Sequence, residues 1–230
     1  MCYQLGSPSK AVLKVKFPEK QIRYHGNEIF HVSGIARPFL PVTLSSMPNS
    51  IESARWKLIP YWIKTEPDAS KYANTLNAES ESIFEKSSYK NYISKNRGLL
   101  YVTGFFESNH VQGVEETENY FIYAPNREIL TLGIIYSNFT DHDSGEIYPT
   151  FSIITTKGNT LLEEIHKENP RMPLIIPESK RDSWLFAESK DDILSHMKPY
   201  SEELNAHLVF RVTAESGENT NIPDIQKHII

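Results

Sequence analysis

The second residue of this 230-residue chain is its only cysteine, and where it stands matters more than its rarity. Removal of Met1 would make Cys2 the N-terminus, where an α-amine with an ordinary pKa of about 7.7–8.0 sits two carbons from a thiol with one of about 8.5. Such a pair condenses with an aldehyde: the amine gives an imine, and the sulfur then closes a five-membered thiazolidine. An internal cysteine has no amine and cannot do this. On position alone, the commoner use of a single cysteine is as a small buried apolar residue. A carboxylate also stands out, because the apolar and aromatic run over residues 99–106 reads as a buried strand and ends in Glu107. Asp141-His142-Asp143 looks like a metal site on paper, but its flanking turn residues read as a solvated loop.

Composition bounds the rest. With 39% hydrophobic and 23% charged residues, the chain can bury a sizeable core as one domain without staples. One cysteine excludes an internal disulfide framework and a cysteine-based zinc site. The start lacks a basic, then apolar, leader, and no apolar run reaches the length of a membrane span. The expectation is a cytoplasmic, monomeric protein in a reducing compartment, with Cys2 a free thiol. A net charge of −5 argues against a broad nucleic-acid surface, so any such site must be local.

The elements that must position these groups are short. Residues 1–5 read as a strand and 10–17 as a helix ended by Pro18. Strands are expected over 41–44 and 53–59 around a loop at Pro48-Asn49-Ser50, with Pro60 and the aromatics Tyr61 and Trp62 closing the stretch. Residues 82–92 carry helical periodicity, whereas 74–78 read as a loop. Residues 99–107 form one strand, 120–123 and 129–136 pair around Pro125-Asn126, and 151–156 is a further strand. Lys157-Gly158-Asn159 can cap a helix over 160–167; short helices follow at 181–186 and 191–197, then a last strand at 207–212. Residues 216–230 read as a loosely held tail after a domain over 1–215.

Five short segments, in order, resemble the motifs of the SOS response-associated peptidase (SRAP) family: Met1-Cys2; Trp56 to Trp62; Asn77-Ala78 with Glu81; Gly104-Phe105-Phe106-Glu107; and Thr155-Thr156 leading through His166 to Arg171-Met172-Pro173. None is specific alone, but their shared order makes a joint signal. The resemblance implies an α+β fold with a mixed, partly barrel-like β core flanked by short helices. It also implies a peptidase or lyase activity in which the chain crosslinks covalently to abasic sites in single-stranded DNA, with no metal or organic cofactor. Carried over by position, Cys2 is the nucleophile, Asn77 the residue bonding near the reacting amine and sugar, Glu107 the acid/base, and His166 the histidine beside the abasic sugar. Candidate DNA contacts are Arg55, Trp56, Lys57, Trp62, Arg97, Arg171, Met172 and Pro173. The chemistry fits the types: imine formation needs a base to free the amine and an acid to expel water, and one carboxyl raised by apolar surroundings can do both. Each residue also has a plain structural use. Asn77 can satisfy a turn, His166 a helix end, Glu107 a sheet edge, and Trp56 and Trp62 the core.

The chain departs from the family pattern in its DNA cradle. Gln4 and Glu79 stand where arginines are usual, Tyr3 and Lys57 where glycines are, Thr103 for an aspartate, and Ser108 for an aromatic. His166 is also farther from Arg171 than in the common form. Two other readings follow: a thiol peptidase or amidohydrolase using Cys2 on a peptide or amide, and a non-catalytic member that has lost DNA binding.

Overall fold

The computed structural model describes residues 2–109, 118–166, 169–210 and 219–229. In chain order the elements are β1 (Gln4–Ser7), α1 (Lys10–Lys16), β2 (Gln21–Ile22), β3 (Ile29–Ser33), β4 (Phe39–Leu44), β5 (Met47–Trp56), α2 (Glu66–Lys71), β6 (Asn77–Glu79), α3 (Lys90–Ile93) and β7 (Arg97–Val102). There follow β8 (Gly104–Asn109), β9 (Glu118–Tyr123), β10 (Leu130–Thr140), β11 (Ile147–Lys157), α4 (Thr160–Ile165), β12 (Arg171–Pro173), α5 (Arg181–Leu185), α6 (Lys190–His196) and β13 (Asn205–Val209). Strands β11, β10, β7, β4 and β5 pair in that order, and a parallel pairing of Thr150 and Phe151 with Arg55 and Trp56 closes them into a five-stranded barrel. A second, antiparallel sheet runs β13-β9-β8-β1-β3. The expected α+β fold with a barrel-like core is what forms.

Strand β7 is buried at every position, and its Leu99–Val102 run is apolar because both its faces are covered. Leu100 and Val102 point into the barrel with Leu40, Val42, Leu132 and Ile153. Leu99 and Tyr101 point outward, under Leu13 of α1, Trp184 and Leu185 of α5 and Ile193 of α6. The single strand expected over 99–107 is in fact two. Thr103 turns the corner, with its N–H on the Gly6 carbonyl at 3.0 Å, and β8 leaves the barrel for the second sheet. Gly104 permits the turn: a Cβ there would lie 2.6 Å from the Ile122 carbonyl oxygen and 2.5 Å from the Phe121 ring. This corner carries Glu107 out of the barrel wall and beside β1.

Other expectations are corrected by pairing. The turn before β5 falls at Ser45-Ser46, and Pro48 lies inside the strand, where a bulge against β4 accommodates its missing N–H. Asn77 and Ala78 are not loop but strand, paired parallel with Ile153 and Ile154. Residues 82–92 are mostly turns, with helix only from Lys90. The expected helix over 160–167 forms over Thr160–Ile165, its Asn159 cap accepting from Leu162 N–H at 3.2 Å; Lys167 lies outside the described residues, as does the end of the strand expected over 207–212. Asp141 accepts from Ser144 and from the N–H groups of Asp143 and Glu66, so the Asp-His-Asp triplet is turn chemistry. The terminal segment is not loose where it is described, because Ile225 is buried against Phe106, Phe121 and Val209.

Candidate functional site

Cys2 is fully buried and shares a core cluster with Leu5, Phe105, Leu76 and Ile153. Strand β6 holds it from one side: Asn77 Nδ2 donates to the Cys2 carbonyl at 2.9 Å. Asn77 is itself fixed, since its own carbonyl accepts from the Tyr89 hydroxyl at 2.9 Å and its strand is hydrogen-bonded to β11. From the other side β8 brings Glu107. The β1–β8 register, Leu5 against Phe105 and Gly6 against Gly104, runs toward Tyr3 and Glu107 at its next same-face step. Glu107 is 7% exposed, and burial pushes its carboxyl up to about 7. Burial, followed by the nearby Glu107 charge, pushes the Cys2 thiol up as well.

His166 arrives by a third route. Helix α4 lies against β8, sinks Leu162 and Ile165 into the cluster that holds Cys2, and ends at His166, whose backbone N–H closes the helix on Leu162. Its ring turns inward far enough that Nδ1 is buried, with no hydrogen-bond partner among the described residues. A buried orphan nitrogen costs about 1–3 kcal/mol unless something outside the protein meets it. Sequence reasoning missed Tyr3: its hydroxyl lies by the Asn74 and Asn77 side chains, and burial raises its pKa. Nothing in the local pattern signals that neighbour, which depends on a strand pairing.

Most of the expected DNA contacts are core residues, and the structure corrects them. Trp56 is 0% exposed, donates Nε1–H to the Leu76 carbonyl at 2.9 Å and stacks on Phe151, so no base can reach its face. Met172 and Pro173 are buried in β12. Arg97 is buried and spends its guanidinium on the carbonyls of Trp184, Ile93, Ser94, Leu185 and Ala187, which leaves nothing for a phosphate. Lys57 folds inward, its Nζ on the Tyr72 carbonyl at 3.1 Å. Arg55 is paired with Glu66 and donates to the Tyr148 hydroxyl at 2.7 Å.

Two expected contacts reach the surface. Trp62 is 37% exposed, edge-on to Tyr61 and Tyr72. Arg171 makes a two-pronged pair with Glu81 at 3.1 and 2.9 Å and also donates to the Thr155 carbonyl. Burial works to raise the Glu81 carboxyl, but the Arg171 bonds and charge outweigh it and hold that carboxyl low. Where the family pattern has arginines, Gln4 accepts from His31 at 3.2 Å and Glu79 pairs with Lys86 at 3.1 Å.

A barrel-cored α+β fold that sinks a thiol at its second residue beside a carboxyl poised near neutrality defines a narrow class of protein. The chain belongs to the SOS response associated peptidase (SRAP) family, whose profile matches residues 18–215. It is 28% identical over 203 residues to abasic site processing protein HMCES of Pongo abelii, covering 76% of this chain and 56% of that protein. To the protein of the same name from Rattus norvegicus it is 30% identical over 194 residues, 72% of this chain and 54% of that one. To abasic site processing protein YoqW of Bacillus subtilis it is 27% identical over 183 residues, 78% of each. The chain thus spans about half the length of the first two relatives. A solved protein from Bacteroides thetaiotaomicron is 30% identical with a TM-score of 0.87 over 100% of both chains. One from Bordetella bronchiseptica, at 19% identity, has a TM-score of 0.75 over 90% of this chain and 99% of that one, a likeness of fold.

Proposed function

We propose that the chain processes abasic sites in DNA by covalent capture: Cys2, freed of Met1, condenses with the ring-opened sugar aldehyde of an abasic site in single-stranded DNA. The relatives named for abasic-site processing support the substrate. The observation that carries the chemistry is the buried Glu107 carboxyl, pushed to about 7, beside the buried Cys2. In the reaction the α-ammonium loses a proton to the Glu107 carboxylate, and the amine adds to the aldehyde carbon. The same carboxyl returns the proton to the carbinol hydroxyl, which leaves as water to give the imine. The thiol then adds to the imine carbon, its proton passing to the nitrogen, and the thiazolidine closes. Asn77 holds the Cys2 backbone in register for both additions, and His166, whose buried Nδ1 has no partner among the described residues, bonds the opened sugar. Run backward, the ring opens to the imine, water adds to its carbon and the amine leaves, so the chain hydrolyses its own crosslink; hydrolysis of the Met1–Cys2 peptide bond is the peptidase step. Among the described residues no helix is long and apolar enough to cross a membrane, and a reducing, cytoplasmic setting keeps Cys2 a thiol.

One observation favours a second reading, in which this member has lost DNA: Arg55, Lys57, Arg97 and Arg171 all have partners within the chain. A denaturing gel with an abasic oligonucleotide separates the readings. The expected result is a shifted band that survives heating, formed only by molecules whose intact mass lacks Met1. Cys2→Ser should give no heat-stable band but should still be trapped through its amine by borohydride. An undiminished stable adduct in Cys2→Ser, or no adduct in the parent chain, overturns the proposal.

A further inference from the structure

Residues 219–229 lie across both open edges of the five-stranded sheet, and we propose that this terminal segment is a clasp that positions the Cys2 strand for reaction, with Thr220, His31, Gln4 and Gln226 as positioning residues. On the β3 edge, Asn221 Oδ1 accepts from the Phe30 N–H at 2.8 Å, and Gln226 Nε2 donates to the Phe30 carbonyl at 2.6 Å. On the β13 edge, the Ile229 N–H donates to the Leu208 carbonyl at 3.1 Å, and His207 Nε2–H donates to the Gln226 carbonyl at 2.9 Å. The same few residues therefore satisfy backbone groups on strands at opposite ends of the sheet order. Ile225 drives the segment down between them, into the cluster of Phe106, Phe121 and Val209. An edge strand otherwise presents such groups to water or to another chain.

Two lines run from this clasp to the site. Thr220 Oγ1 meets His31 Nδ1 at 2.6 Å, and His31 Nε2 meets Gln4 Oε1 at 3.2 Å. Because the Gln4 oxygen only accepts, Nε2 carries the ring proton and Nδ1 accepts from the threonine hydroxyl, which fixes the tautomer. Gln4 is two residues from Cys2. The second line is direct: Gln226 covers Gly6 so closely that a Cβ there would be 2.6 Å from its Nε2. Strand β1 needs such support. It is four residues long, pairs with β8 only at Leu5 and Gly6, and slips register against β3 between Leu5 and Ser7. Opening the clasp removes the β3 edge bonds first, then the restraint on β1, and with it the fixed distance from Cys2 to Glu107.

The catalytic consequence rests on the capture reading, but the clasp itself is tested without DNA. The variant Thr220→Val with Gln226→Ala is compared with the parent in three measurements: alkylation of Cys2 by iodoacetamide followed by intact mass, deuterium uptake by segment, and crosslinking to an abasic oligonucleotide. The expected result is alkylation at least about 10-fold faster and faster uptake confined to the clasp itself, residues 219–229, and to residues 3–7 and 29–33, with β7 and β10 protected as before. Crosslinking at saturating DNA should slow while the DNA concentration at half-saturation stays unchanged, and Thr220→Ser should behave as the parent. If the double variant loosens the barrel as well, Thr220→Val alone decides, and loosening that again spreads to β7 and β10 overturns the clasp. Unchanged alkylation and unchanged uptake at residues 3–7 also overturn it. A parent that alkylates and exchanges as expected but never crosslinks overturns the capture reading and leaves the clasp standing.

Discussion

Asn77 Nδ2 donates to the carbonyl of Cys2 across 75 residues of sequence, at 2.9 Å, while the Gln4 backbone N–H bonds the Cys2 sulfur, so the nucleophile is held from both its backbone and its side chain. The Asn77 bond occupies neither the sulfur nor the amine but restricts where both can point. Asn77→Asp keeps the size and puts an acceptor against an acceptor. Losing one donor and gaining a repulsion is worth about 1–3 kcal/mol, so the crosslinking rate should fall roughly 10- to 100-fold. Circular dichroism should stay that of the parent. A rate within twofold of the parent would make the bond incidental.

Two buried groups make the stability of the protein respond to pH in opposite directions. Glu107 is raised by burial from an ordinary 4.5 to about 7. The folded state thus holds a proton that the unfolded state has lost, and stability present below pH 4.5 drains away as pH rises through 7. His31 is lowered by burial from 6.5 to about 4. Its unfolded state binds the extra proton, so stability present above pH 6.5 is lost as pH falls through 4. Between pH 4.5 and 6.5 the slopes of these two groups oppose, so removing either should unmask the other. Glu107→Gln should become less stable on acidification across that window, and His31→Gln more stable, each by on the order of 2 kcal/mol. Parallel pH profiles for the two variants would refute the assignment. The crosslinking rate of Glu107→Gln should also lose its inflection near pH 7 and fall by about 10²- to 10⁴-fold.

Lys57 carries a backbone φ of 117°, a region that favours glycine, at the point where β5 ends and its N–H turns to the Phe151 carbonyl at 3.0 Å. Such strain costs about 1–3 kcal/mol, against which glycine forfeits roughly 0.5–1 kcal/mol of chain entropy. Both Lys57→Gly and Lys57→Ala lose the Nζ bond to the Tyr72 carbonyl, but only alanine keeps the strain, so Lys57→Gly should melt a few degrees above Lys57→Ala. Equal melting temperatures, or alanine above glycine, would show that the backbone at this position is not strained.

The fold was legible wherever burial was one-sided or complete over a run. The apolar stretch that became β7 and β8, the Asn159 cap and the strand-forming runs of β10 and β11 all carry their structure locally. The corner at Thr103 was not legible, because a strand passing from one sheet to the next looks like a strand throughout. Among the site residues, chemical type was a poor guide to exposure. Arg97 and Trp56 have the side chains of a nucleic-acid surface, yet the first caps five carbonyls and the second fills the barrel. The bond of Gln4 to His31 spans 27 positions, and the docking of Thr220 on that ring spans 189. No periodicity or spacing encodes such a contact, and a polar terminal stretch reads as a tail until its partners are known.

Glu79 is the residue on which the substrate reading can be decided by charge. Its side chain is 41% exposed and paired with Lys86 Nζ at 3.1 Å, on the strand that begins with Asn77. Replacing it by arginine removes a negative charge from the strand that carries Asn77, adds a positive one and releases Lys86 from its partner. Each new phosphate contact on a single strand steepens the salt dependence of log K by about 0.7. Glu79→Arg should therefore tighten noncovalent binding of an oligonucleotide at low salt and steepen that slope by about 0.7, or about 1.4 if the freed Lys86 also finds a phosphate. The surface pair given up is worth under about 1 kcal/mol, so the melting temperature should barely move. Crosslinking at saturating DNA should be unchanged, because Glu79 takes no part in the proton transfers assigned to Glu107. Fluorescence anisotropy at several salt concentrations makes the measurement. An unaltered slope would show that this strand does not face nucleic acid, and the reading in which this family member no longer binds DNA would take precedence.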